Sequence, residues 1–207
     1  MKRQTCIRLL SCVLLSILLM TVCSMASPLF PLHTGVDQNC FLTVGKAMLS
    51  GTVPYRDLYE QKGPLLYGLH ALAAWMDSNG FFGVYLLEIL NLTWVLRLYC
   101  KIAGLFLPER LQFPAAALSG FVTVTAYCFS RGDNSEEFCL HLVLYGLYAM
   151  LRCTESGTLP CRRTHILCGV LAGMILWIKF TMLGFYIAWV LFFFVQTIRQ
   201  GQPGRAF

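Results

Sequence analysis

Apolar residues run along this chain in long stretches separated by short polar breaks. Stretches of membrane-helix character cover residues 6–26, 81–106, 114–130, 138–150, 166–177 and 182–195, and two further apolar ones cover 36–50 and 63–76. A bilayer span needs about 20 mostly apolar residues. The pattern therefore predicts an all-α integral membrane protein with about six transmembrane helices and with interfacial helices in a first external loop, residues 27–80. For 166–195 two readings stay open: a pair of short helices, or one long tilted helix from 165 to 195. Residues 36–50 predict a surface helix with Gly51 as its C-terminal stop. Residues 63–76, only fourteen long, would as a span put the Arg152–Arg163 loop outside against the positive-inside trend, and so predict an interfacial or re-entrant helix.

Composition supports this class. Hydrophobic residues make up 57% of the chain and charged residues 13%, against about 45–50% and 25% in soluble domains. The net charge of +6 needs no nucleic acid to explain it, because basic residues gather at the cytoplasmic ends of membrane helices. The start Met1-Lys2-Arg3 with Ser24-Met25-Ala26 can pass for a signal peptide and its cleavage site. Its length and the spans that follow favour an uncleaved first helix with a cytoplasmic N-terminus. Arg97, Lys101 and Arg110, then Arg152, Arg162 and Arg163, then Arg199 and Arg205 mark cytoplasmic ends of a multi-pass protein of the cell membrane. On that topology Asp37, Asp57, Glu60, Asp77, Asp133, Glu136 and Glu137 lie outside, seven of the ten acids. The remaining polar residues include a tail, 198–207.

The ten cysteines form no C-x-x-C pair and read as small packing residues. His33, His70, His141 and His165 are scattered and predict no ligand cluster. Glu88, inside a span, must face a protein interior or water. Gly169 and Gly173 have the small-xxx-small spacing of closely packed helices. Arg131-Gly132-Asp133 spells an adhesion tripeptide, which in a short loop between spans reads as chance. The chain has no P-loop, no G-x-G-x-x-G and no Ser/His/Asp signature, which argues against a nucleotide-sugar enzyme.

An external Asp37 after the first span, a helix ending Ala47-Met48-Leu49-Ser50-Gly51, and the run from Pro54 to Tyr67 (PYRDLYEQKGPLLY) resemble the start of GT-C superfamily membrane glycosyltransferases. The nearest branch is that of the dolichyl-phosphate-mannose protein mannosyltransferases and the aminoarabinose transferases. The stretches around Asn134–Phe138 and Trp177–Thr181 are similar to that branch as well. The resemblance covers the N-terminal half of such proteins and implies a missing C-terminal half as partner. It also implies a polyprenyl-phosphate-sugar donor held in membrane lipid.

Such a transfer needs a base for the acceptor hydroxyl and a cation for the departing phosphate. The resemblance assigns the base to Asp37, whose other role is to favour the helix start it occupies. Lys62 is the expected phosphate partner, with Arg56, Arg131 and Lys179 as further candidates. Glu136 and Glu137 form the expected second acidic group, orienting the acceptor or holding a divalent cation with Asp37. No ligand spacing demands a metal, though hard cations favour carboxylate oxygens. Glu60, with Asp57, is expected to support Lys62 and Arg56. Asp37 and Lys62 are expected to stand about a sugar's width apart.

Overall fold

The computed structural model describes residues 2–30, 32–129 and 131–200; the end of the expected polar tail, with Arg205, lies outside the described residues. Among the described residues eight α-helices follow one another: α1 Lys2–Cys23, α2 Val36–Leu49, α3 Pro64–Met76, α4 Phe82–Phe106, α5 Glu109–Thr125, α6 Ser135–Glu155, α7 Arg162–Lys179 and α8 Gly184–Arg199. No strand occurs among the described residues.

Each boundary has a local cause. Thr21, Ser24 and Ser27 end α1 by turning their hydroxyls onto backbone: Ser27 Oγ donates to the Thr21 carbonyl at 2.7 Å and Ser24 Oγ accepts from Ala26 N–H at 3.0 Å. α2 ends at Ser50, with Gly51 following at φ +89°. α3 starts with Pro64 in its first turn, where a missing N–H costs nothing. Asp77 then accepts from the N–H groups of Asn79, Gly80 and Phe82, each at 3.1 Å, and so ties the end of α3 to the start of α4. These bonds hold the Asp77 carboxyl below its ordinary value. α5 begins earlier than the apolar pattern predicts, and Pro114 lies within it.

Among the described residues three stretches are long and apolar enough to cross a membrane, 6–23, 82–106 and 162–199. About six spans were expected. α5 falls short with 17 residues, and α6 carries Glu136, Glu137, Arg152 and Glu155 at its ends. The 38-residue stretch 162–199 would measure about 57 Å as one straight helix. It folds back instead: Lys179 is extended at φ −152°, and a 3₁₀ turn over Phe180–Leu183 leads into α8. Lys179 meets Glu136 at the start of α6, the His165 and Trp189 rings meet edge to face at 5.5 Å, and Gln200 reaches Gly157. Two helices, not one tilted helix, fill this stretch.

Side-chain pairs fix the helix directions. α4 is antiparallel to α1, with Thr21 on Tyr85 toward one end and Cys12 beside Cys100 toward the other. α6 is parallel to α4, with His141 on Asn91 and Lys101 over Tyr148. α5, α6, α7 and α8 continue the alternation. One core cluster joins α1, α4, α5 and α6 around Met20, Leu92, Leu96 and Val124; a second joins α2, α3, α6, α7 and α8 around Phe41, Tyr67, Leu142 and Ile175. On α1, Leu10, Leu14, Leu18 and Val22 form an exposed stripe at helical spacing, an apolar face suited to lipid. Gly169 and Gly173, expected to admit a neighbouring helix, face open space.

Candidate functional site

The segment after α1 folds as a helical hairpin, α2 and α3, joined by the loop 50–63. Within that loop Glu60 is the organiser. Its carboxylate accepts from the Tyr67 hydroxyl and from Lys62 N–H, the latter at 2.9 Å, while the Tyr55 hydroxyl donates to the Lys62 carbonyl at 2.5 Å. Burial pushes the Glu60 carboxyl upward, but these bonds and the Lys62 charge more than reverse that, leaving it below its ordinary value. Gly63 then presses on α7: its N–H donates to the Ile178 carbonyl at 3.1 Å, and a Cβ there would lie 2.0 Å from the Trp177 carbonyl oxygen.

This framework points Lys62 at α2. Its Nζ stands 3.9 Å from Asp37 Oδ2 and lies over the Phe41 ring at 5.8 Å. The Asp37 side chain is 67% exposed and that of Lys62 only 14%, so the cation is held and the carboxylate is open to an incoming group. The separation is shorter than the sugar-wide gap expected. One residue beyond Ile178, Lys179 contacts Glu136. The Gly63–Ile178 bond thus places the Asp37–Lys62 and Glu136–Lys179 pairs on one end of the bundle.

The other expected site residues part company. Arg56 pairs only with its neighbour Asp57, at 2.7 Å on the surface. Arg131 lies over the Phe30 ring at 5.0 Å, and its carbonyl accepts from Met25 N–H. Glu136 and Glu137, expected to act together, do not. They are not loop residues but the first turn of α6, where successive side chains point about 100° apart. Glu136 faces Lys179; Glu137 is buried, with neither carboxylate oxygen bonded among the described residues. Among the described residues no group of three or more His, Cys, Asp or Glu is placed to hold a metal ion.

Beneath the surface pair lies a polar centre that the spacing of residues did not reveal. His70, on α3, meets Asp133 Oδ1 through Nε2 at 2.8 Å and the Leu66 carbonyl through Nδ1 at 2.8 Å. Asp133 N–H donates to Glu88 Oε1 at 2.8 Å, and Ser24 Oγ–H donates to Glu88 Oε2 at 2.6 Å. His70 is 1% exposed and Asp133 and Glu88 are 0%. Gln38, the residue after Asp37, donates to the Gly132 carbonyl and to Asn134 Oδ1. Four elements, α1 to α4, therefore converge on residues 131–134. Burial pulls the His70 imidazole down, but the Asp133 charge and bond and the Leu66 carbonyl outweigh it, so His70 titrates above its ordinary 6.5.

The backbone here is unusual: Arg131, Gly132 and Asp133 have φ of +67°, +96° and +54°. Side chains rarely adopt this region, and two non-glycine residues hold it only because their surroundings over-determine them. The tripeptide, whose adhesion spelling read as chance, is a junction at this end of the bundle. The signal available in the sequence was His70 on the buried face of α3, in phase with Leu66, Tyr67, Ala73 and Ala74.

No curated protein and no solved structure matches the chain. Residues 1–207 match the family model described as the putative competence-induced protein Ccs4 N-terminal domain, and the chain belongs to that family.

Proposed function

We propose that this protein transfers a sugar from a polyprenyl-phosphate-linked donor to an acceptor at the outer face of the cell membrane, as the resemblance to GT-C glycosyltransferases implies. On this reading α1, α4, α5, α6, α7 and α8 are six spans, α2 and α3 lie at the outer interface, and the N-terminus is cytoplasmic. The alternation of the six helices and the gathering of Arg97, Lys101, Arg152, Arg162 and Arg163 toward one end support it.

The observation that carries the reading is an exposed carboxylate beside a held cation, Asp37 and Lys62 at 3.9 Å. Asp37 takes the proton of the acceptor hydroxyl as its oxygen attacks the anomeric carbon. The bond from that carbon to the phosphate oxygen breaks on the opposite side, the configuration inverts, and the polyprenyl phosphate leaves against Lys62. The two side chains part to admit the sugar, and the exposure of Asp37 permits it.

A second reading, a protein that binds the lipid carrier without transfer, is favoured by Glu136, whose carboxylate is already engaged by Lys179. A photoreactive polyprenyl-phosphate probe and a transfer assay with polyprenyl-phosphate sugars distinguish the two. Sugar transfer expects Asp37→Asn to keep crosslinking and lose transfer, and Lys62→Ala to lose both. Crosslinking without transfer in the unaltered protein favours the second reading. Crosslinking that ignores Lys62→Ala removes both.

A further inference from the structure

At the opposite end of the bundle from Asp37, α1, α4, α5 and α6 surround a cavity of about 340 Å³, with Arg8, Arg97, Lys101, Gln112 and Tyr148 in its wall and no carboxylate. Arg8 is engaged: it donates to Glu109 at 2.6 Å and to Gln112 at 3.0 Å. Arg97 and Lys101 are not. Arg97 lies over the Trp94 ring at 5.2 Å and Lys101 over Tyr148 at 5.5 Å, and no carboxylate pairs with either among the described residues. Both belong to α4, one of the three stretches able to cross a membrane. Arg97 lies nine residues before the end of that helix at Phe106, about 14 Å along its axis. A cation at such depth is costly unless an anion or water serves it.

The same two side chains form a wall of a second cavity of about 200 Å³, between α4, α6 and α7, whose lining is otherwise mostly apolar: Trp94, Leu98, Leu142 and Leu171 among others. A third, of about 220 Å³, shares Trp94, His141 and Leu142 with the second and continues to Leu65 and Ile178. Two unneutralised cations thus stand where a polar cavity adjoins an apolar groove running along the helices.

We propose that this is a binding site for an anionic membrane phospholipid, its phosphate against Arg97 and Lys101 and an acyl chain in the groove past Trp94. The apolar groove selects a lipid over a free phosphate, and the cations select an anionic headgroup over a zwitterionic one. The inference is independent of any sugar transfer at Asp37.

Trp94 provides the readout. Phosphatidylglycerol with brominated acyl chains, added to the delipidated full-length protein in detergent, is expected to quench Trp94 emission, and Trp94→Phe to remove that component. Each basic residue near a lipid phosphate contributes about 1 kcal/mol, so R97Q/K101Q should weaken the affinity about 30-fold. K101Q, at an exposed position, should weaken it about fivefold and keeps the test decisive if the double variant does not fold. Brominated phosphatidylcholine should bind more weakly and ignore both variants. Equal affinity for the two lipids, or no response to K101Q, overturns the proposal. Displacement of the brominated lipid by inorganic phosphate alone overturns it in favour of a free-phosphate site.

Discussion

The loop 50–63 and the turn 131–134 sit at the same end of the molecule, yet they handle charge in opposite ways. At the loop, Lys62 meets Asp37 of α2 at 3.9 Å with the carboxylate largely in solvent. In the turn, Asp133, His70 and Glu88 are sealed from solvent and joined at 2.8 Å. An exposed ion pair is worth about 0–1 kcal/mol and can open readily. A buried one is costly to form and costlier to break by halves. The comparison separates roles that a count of acids on one face merges: the surface pair can admit a ligand, and the buried centre fixes the helices that present it.

The sharpest way to break this division is Gly132→Ala. A Cβ there would lie 2.2 Å from Glu88 Oε1 and 2.7 Å from Ser24 Oγ, at a φ of +96°. Positive-φ strain and overpacking together should cost about 4–6 kcal/mol, read as a large loss of thermal stability in detergent. A folded variant of ordinary stability would show that the turn is not the junction described.

Somewhat smaller is His70→Leu, which leaves Asp133 buried beside Glu88 without its partner. A loss of about 3–5 kcal/mol is expected, and a mutation of Asp133→Asn in the same chain should recover part of it. Absence of any recovery would mean that the lost contact is packing and not charge.

The pH dependence should follow His70. Its pKa is raised in the folded state, so its contribution is fully present below its ordinary 6.5 and is lost as pH rises through the folded value. Unfolding midpoints measured across this range should fall with rising pH, and the slope should diminish in His70→Gln.

At the far end of the scale, Asp37→Asn, at a side chain 67% exposed, should change stability by no more than about 0.5 kcal/mol, while altering transfer as described above. A large destabilisation from Asp37→Asn would move Asp37 into the structural class and sharpen the comparison against the proposed chemistry.

The legibility of the chain follows the range of the interactions. Helix starts and stops are local, and α2, α3 and α4 fall within a residue or two of where Gly51, Pro64 and the apolar run place them. The inward orientation of Glu88 was readable because lipid tolerates no lone carboxylate. Its partners were not, because Ser24 and Asp133 lie 64 and 45 residues away in the chain. Charge and topology placed Asp133, Glu136 and Glu137 together outside; helical phase and the positive-φ turn separate them into two buried residues and one exposed. The count of six spans rests, at α5 and α6, on apolar middles that are real but short or bounded by acids. The Gly169–Gly173 spacing was read as packing, and only tertiary structure shows that no helix arrives there.

The turn at 131–134 also sets a limit on how this chain can change in length. It joins the return from α5 to the first residue of α6, so one inserted residue would rotate α6 by about 100° relative to the turn. Glu137 would swing toward the exterior, Glu136 would leave Lys179, and Asn91 would lose the Glu137 carbonyl it now holds at 3.0 Å. The loop 52–59 has no such phase to keep, since its exposed tip is followed by the separately anchored Glu60 and Gly63. Natural insertions and deletions in this family should accumulate in the first loop and be absent from the turn, which behaves as a rotational key between the two halves of the bundle.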